Sequence, residues 1–162
     1  MKKISHYIIF YFIIVLFLSG ISYAQSPIQG KVVGVADGDT ITVLQDSKQY
    51  KIRLYGIDTP EKKQGFGQKA KKFTSDMVFR QQVKIVAYDT DRYGRTVGMV
   101  YIGKKCLNEE LIKNGYAWVY KKYCSESFCN RWLQLERKAR VNKLGLWTYD
   151  NPVAPWEFRR GK

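Results

Sequence analysis

Histidine is almost missing from this chain: the only one is His6, close to the start. Zinc would need a fourth ligand that the cysteines cannot supply, since Cys124 and Cys129 stand close together and only Cys106 remains. Acidic residues are also scarce, 14 Asp and Glu against 28 Lys and Arg, a net charge of +14. Such an excess attracts polyanions: nucleic acid, anionic polysaccharide or a membrane surface. Charge alone does not choose among them. No internal repeat or low-complexity segment is present. No apolar run reaches the roughly 20 residues of a membrane span.

The longest apolar run, Tyr7 to Leu18, has 12 residues. It follows Lys2 and Lys3 and precedes "SYA", which ends at Ala24. Basic start, short apolar stretch and small residues before a cut describe a secretory signal peptide over 1–24. The segment holds no cysteine, which argues against a lipoprotein anchor. Its removal takes away two lysines and no acid, leaving 138 of the 162 residues and a charge of +12. The expected location is secreted or periplasmic. A short lead follows over 25–29, then one domain over 30–148 and a tail over 149–162. In an exported chain Cys124 and Cys129 are a plausible disulfide. Cys106 falls in the amphipathic helical stretch "CLNEELIKNG" and reads as a buried thiol.

"KVVGVADGDTITVLQDSKQYKIRLYGI" is rich in Val, Ile, Thr and Tyr and broken by turn signals, which predicts three strands in a meander. "GQKAKKFTSDMVF" predicts a helix with Ala70, Phe73 and Met77 on one face. "QVKIVAYDTD" and "RTVGMVYIGK" predict two more strands. Leu107 and Leu111 turn inward on the next helix, with Gly115 as its stop. A longer helix is predicted from about Glu126, with Phe128, Trp132, Leu135 and Ala139 on one side. The tail, with two prolines, is expected to pack over the surface without forming an element. The fold class is therefore α+β and mostly β: a five-stranded OB-type barrel with about three helices.

Three stretches carry charge at strand ends. In "DGDT", Asp37 and Gly38 are explained by a hairpin turn, and Asp39 is the surplus acid that begins the next strand. In "RLYGIDTPE", Arg53 interrupts an apolar run, Pro60 ends the strand, and Asp58 and Glu61 crowd its end. Alternation points Arg53 at the barrel mouth, with phosphate and not a protein acid as its expected partner. In "DTDRYGR", Arg95 starts a strand beside Tyr93. Hard cations such as calcium take carboxylate and carbonyl oxygens. Arginine grips phosphate with a planar fork, and a carboxylate accepts a proton from water. These parts suit phosphodiester hydrolysis.

"DGDT", "RLYGIDTPE", "DRYGR" and "GLW", in this order, resemble the thermonuclease, or staphylococcal nuclease-like, family across roughly Gly30 to Trp147. The resemblance implies an OB-fold barrel with helices. It also implies a secreted, calcium-dependent endonuclease that cuts DNA and RNA with little sequence preference and leaves 3′-phosphate ends. By position it makes Asp39, Asp58 and the Thr59 carbonyl ligands of Ca²⁺. Glu61 becomes the general base, and Arg53 and Arg95 the phosphate clamp. Tyr93 matches an aromatic near the nucleotide. Tyr123 is a second substrate contact, with Tyr120 nearby. The loop after Glu61 is shorter than in the best-known member. No stable protein partner is implied, and a monomer is expected. Two rival readings remain: a barrel that holds nucleic acid without cutting it, and a surface protein that binds polysaccharide or anionic lipid.

Overall fold

The computed structural model describes residues 27–161. The signal-peptide reading of 1–24 lies outside them. Among the described residues eight strands and four α-helices follow in chain order: β1 Ile28–Asp37, β2 Thr40–Gln45, β3 Lys48–Leu54, β4 Ile57–Asp58, α1 Gly67–Val78, β5 Gln82–Thr90, β6 Thr96–Ile102, β7 Lys105–Cys106, α2 Leu107–Lys113, β8 Trp118–Val119, α3 Cys129–Val141 and α4 Pro155–Phe158. The first strand begins at Ile28, so the short lead ends before that residue. Its backbone pairs with Ile85 of β5.

The meander β1–β2–β3 is antiparallel throughout. Strand β5 adds to the free edge of β1 and pairs with β6. Strand β6 then runs parallel to β3, with Arg53 opposite Val97, and this pairing closes a five-stranded mixed barrel. Closure leaves the barrel few free edges for chance pairing with other chains. Alternate residues of each strand point inward, and Val32, Ile41, Val43, Ile52, Leu54 and Ile85 form a dry centre. Arg53 falls between two of these, Ile52 and Leu54, so its side chain leaves on the opposite face.

The helices close the barrel. Ala70, Thr74 and Val78 are the buried line of α1, flanked by the half-buried Phe73 and Met77. Leu107 and Leu111 of α2 and Trp132 of α3 are fully buried, and Gly115 ends α2 with φ +71°. Helix α3 begins at Cys129, three residues later than its apolar pattern predicts. Cys129, its first residue, forms a disulfide with Cys124. Cys106 belongs to β7 and not to a helix, and it is half-buried. It pairs with Tyr101, which pulls it into the sheet just before α2 starts.

Two details correct the reading of the first hairpin and the tail. The turn residues are Gly38 and Asp39, with Asp37 paired to Thr40, so Asp39 lies in the turn and not at the strand start. The tail does form an element: α4, opened by Pro155, whose missing amide costs nothing at a helix start. Among the described residues no helix is long and apolar enough to cross a membrane.

Candidate active site

Strand β3 leaves the barrel at a sharp bend. Gly56 has φ +68°, a conformation that L side chains rarely adopt. A Cβ there would come within 2.8 Å of the Cys124 sulfur. The bend is held from both sides. Asn108, fully buried, donates its amide to the Tyr55 carbonyl at 3.0 Å, and the Tyr120 amide donates to the Gly56 carbonyl at 2.9 Å. The chain then enters β4, where Asp58 pairs with Trp118 of β8. Pro60 follows and ends the pairing. The six residues from Arg53 to Asp58 thus turn back on themselves, and Arg53 Nη2 meets Asp58 Oδ1 at 2.8 Å.

The Gly38–Asp39 turn is pressed against the same spot. Thr74 of α1 donates its hydroxyl to the Gly38 carbonyl at 2.6 Å. A Cβ on Gly38 would lie 2.7 Å from the Thr59 hydroxyl, so only glycine permits this approach. Gly38 therefore does more than turn the chain. Asp39 Oδ2 accepts the Thr59 amide at 2.8 Å and the Thr59 hydroxyl at 3.0 Å, and pairs with Arg53 Nη1 at 3.0 Å. Arg53 thus bridges Asp39 and Asp58. Its partners here are protein acids, contrary to the expectation from strand alternation. An arginine on this face meets acids because the turn and the bend bring both carboxylates within its reach.

Arg95 joins the cluster through Thr40. Its Nη1 donates to the Thr40 hydroxyl at 3.4 Å, and that hydroxyl donates to Asp39 Oδ1 at 3.3 Å. Asp91 anchors Arg95 by accepting from its Nε at 2.7 Å and its amide at 3.0 Å. Burial opposes ionisation of Asp91, but the amide and guanidinium of Arg95 and the Tyr93 amide outweigh it and hold the carboxyl below its usual range. Tyr93 is 68% exposed, with the guanidiniums of Arg92 and Arg95 over its ring. The Tyr123 ring meets Tyr120 and Lys122.

Two further residues, to which the sequence reading gives no functional role, reach the site. Asp37 was explained as a turn residue, yet its Oδ1 is buried without a hydrogen-bond partner. Burial, then repulsion from Asp39, pushes its carboxyl up to about 6. The second is Arg159, just past α4. Its Nη2 meets Asp58 Oδ2 at 2.7 Å, and its Nη1 meets Glu61 Oε1 at 2.5 Å. Burial pushes the Asp58 carboxyl up, while Arg159 and then Arg53 pull it back down. The bonds to Asp58 hold the Arg159 guanidinium above its ordinary range. The sequence signal for it was the run "PWEFRR", a helix-starting proline followed by aromatics and two arginines.

The donors gathered here are all oxygen: Asp39, Asp58, Glu61 and Asp37, whose Oδ1 is without a partner. This chemistry fits a hard cation such as calcium and disfavours a soft one. Among the described residues no three His, Cys, Asp or Glu side chains form a ready metal cage. Guanidiniums neutralise the acids in this arrangement.

Carboxylates, arginines and an all-oxygen donor set on a basic OB barrel suit a phosphodiester-cleaving hydrolase. The chain belongs to the staphylococcal nuclease homologue family, whose model matches residues 51–149. It is similar to an uncharacterized endonuclease of Haemophilus influenzae, 43% identical over 131 residues, 80% of this chain and 72% of that protein. It is 36% identical over 146 residues to a micrococcal nuclease of Shigella flexneri, covering 85% and 83% of the two chains. An uncharacterized endonuclease of Escherichia coli O157:H7 is 37% identical over 153 residues, covering 94% and 98%. The protein is a nuclease.

Proposed function

We propose that this nuclease is an exported, calcium-dependent endonuclease that cuts DNA and RNA with little sequence preference and leaves 3′-phosphate ends. The observation that carries the reading is the convergence of Asp39, Asp58, Glu61 and Arg53 at one bend of the chain. Asp39, Asp58 and the Thr59 carbonyl would hold the cation. When bound, calcium supplies positive charge beside the phosphodiester.

The remaining chemistry belongs to the chain. Glu61, with a partly exposed carboxylate, takes the proton from the attacking water. General-base help of this kind gives about 10²–10⁴-fold, well short of the roughly 10⁶-fold or more that enzymes reach. Most of the acceleration therefore comes from fixed positive charge. Arg53 is held by Asp39, Asp58 and the Leu54 carbonyl, so its plane is set before substrate arrives. Arg95 is set in the same way by Asp91. Both forks bind phosphate oxygens as charge grows on them. Lysines around the barrel add attraction without sequence information, and Tyr93 and Tyr123 offer exposed faces for stacking unpaired bases. The signal-peptide pattern over 1–24 supports export, and the disulfide between Cys124 and Cys129 agrees with an oxidising compartment.

Incubation of the purified protein with plasmid and with RNA, in calcium or in EGTA, tests the reading. Loss of both substrates in calcium alone, with 3′-phosphate ends on the fragments, supports it. Cleavage that continues unchanged in EGTA contradicts the calcium requirement.

A further inference from the structure

The tail is built to deliver one guanidinium to the site. Ala154 and Pro155 are buried, and the Trp156 ring stacks on Tyr120 with centroids 4.8 Å apart and planes 13° from parallel. Trp156 also meets Trp118, the β8 residue that pairs with Asp58, edge to face at 5.7 Å. Ahead of the helix, the Gln64 side-chain amide donates to the Val153 carbonyl at 2.6 Å. The Gln64 carbonyl oxygen accepts the Glu61 amide at 3.1 Å. The strap is thereby tied to the Glu61 loop and to the β4–β8 pair. At its end Arg159 caps Asp58 through Nη2 at 2.7 Å and Nη1 at 3.3 Å, and reaches Glu61 as well.

Asp37, Asp39, Asp58 and Glu61 crowd four acids into one corner, and Arg53 alone cannot balance them. Asp58 is 1% exposed and needs a cationic partner for each oxygen, because an uncompensated buried charge is costly. Arg53 serves Oδ1 and Arg159 serves Oδ2. Yet the proposed function assigns Asp58 to a divalent cation. A guanidinium and a cation at the same carboxylate oxygen repel and compete.

We propose that Arg159, carried on the C-terminal strap, is an internal counter-ion of Asp58 and Glu61 that divalent cation must displace, so that the strap loosens when the cation binds. This rests on the reading of Asp58 as a cation ligand. Occupancy of the carboxylates by Arg159 lowers cation affinity and reduces the net negative charge of the acid cluster in the free protein. Displacement also frees Glu61 for its water.

Calorimetric titration of the nucleic-acid-free protein with calcium chloride tests this directly. Arg159→Ala tightens calcium binding by roughly three- to thirtyfold, the span of a charge-assisted hydrogen bond after solvent screening. Trp156→Ala, which unseats the strap and keeps the arginine, shifts affinity in the same direction. In the wild type, saturating calcium speeds amide hydrogen exchange at Phe158 and Arg159. Equal or weaker binding by a folded Arg159→Ala protein overturns the counter-ion proposal, provided that Asp58→Asn abolishes the binding. If Asp58→Asn titrates like the wild type, the cation is not at Asp58, and the site assignment fails together with the counter-ion.

Discussion

Arg53 Nη2 stands 2.8 Å from Asp58 Oδ1, five residues away along the chain. A straight strand would carry them roughly 16 Å apart. The bend at Gly56 makes the contact, so one short segment supplies both the phosphate-binding fork and the acid assigned to calcium. Replacing Arg53 by Lys keeps the charge and loses the fork that spans Asp39 and Asp58. A fall in kcat of about 10²-fold or more is the expected result, on the scale of losing one fixed donor to the transition state. Near-wild-type kcat in a folded Arg53→Lys protein would sink the assignment.

Asp39 tests the metal site, but the structure changes how. Its Oδ2 holds the Thr59 amide and hydroxyl, so Asp39→Ala leaves buried donors without a partner at a cost of about 1–3 kcal/mol. Asp39→Ala therefore lowers stability along with calcium affinity. Asp39→Asn keeps an acceptor and loses the charge. Urea melts and calcium titrations of both variants should show Asn nearer wild type in stability, with both weak in calcium. A wild-type calcium titration in Asp39→Asn removes Asp39 from the ligand set.

Gly56→Ala tests the bend. It forces a Cβ into a left-handed conformation and against the Cys124 sulfur at 2.8 Å. Strain and overpacking together predict a loss of about 2–4 kcal/mol, read from the urea midpoint. Reducing the disulfide in wild type should cost about 2 kcal/mol by the loop-entropy relation for its short loop.

Asp37 gives a pH signature in calcium-free protein. Its carboxyl is raised from 3.8 to about 6 by burial and Asp39. Between those values the folded form holds a proton that the unfolded chain releases, so this group's contribution to stability falls as pH rises. Asp37→Asn removes the penalty. The variant's advantage over wild type should grow between pH 4 and pH 7 by about 1–2 kcal/mol, discounted for partial exposure. A difference that stays flat with pH contradicts the raised carboxyl.

The barrel was legible because its signals are local. Val, Ile and Thr alternate through 28–54, and Asp-Gly and Asp-Ser break the run into three strands. The hairpin register was off by one residue, since Asp-Gly chemistry suits either pair of turn positions until cross-strand packing selects one. The site acids and Arg53 were legible as charges in odd places. Their partners were not: Asp39 meets Arg53 and Thr59 only after β2 and β3 pair and the chain bends at Gly56. Helix α4 was missed because four residues show no periodicity, and its stability comes from Trp156 packing on Tyr120 and Trp118. Arg159 reaches Asp58 across 101 positions, a distance at which no pattern in the chain links them.

Glu61→Gln is the most direct test of the account. Glutamine keeps the size and an acceptor for Arg159 and cannot take a proton from water. Single-turnover cleavage of a short DNA strand at saturating calcium should slow by about 10²–10⁴-fold, with calcium affinity within a few-fold of wild type. A variant that cuts at the wild-type rate under those conditions would show that Glu61 is not the base.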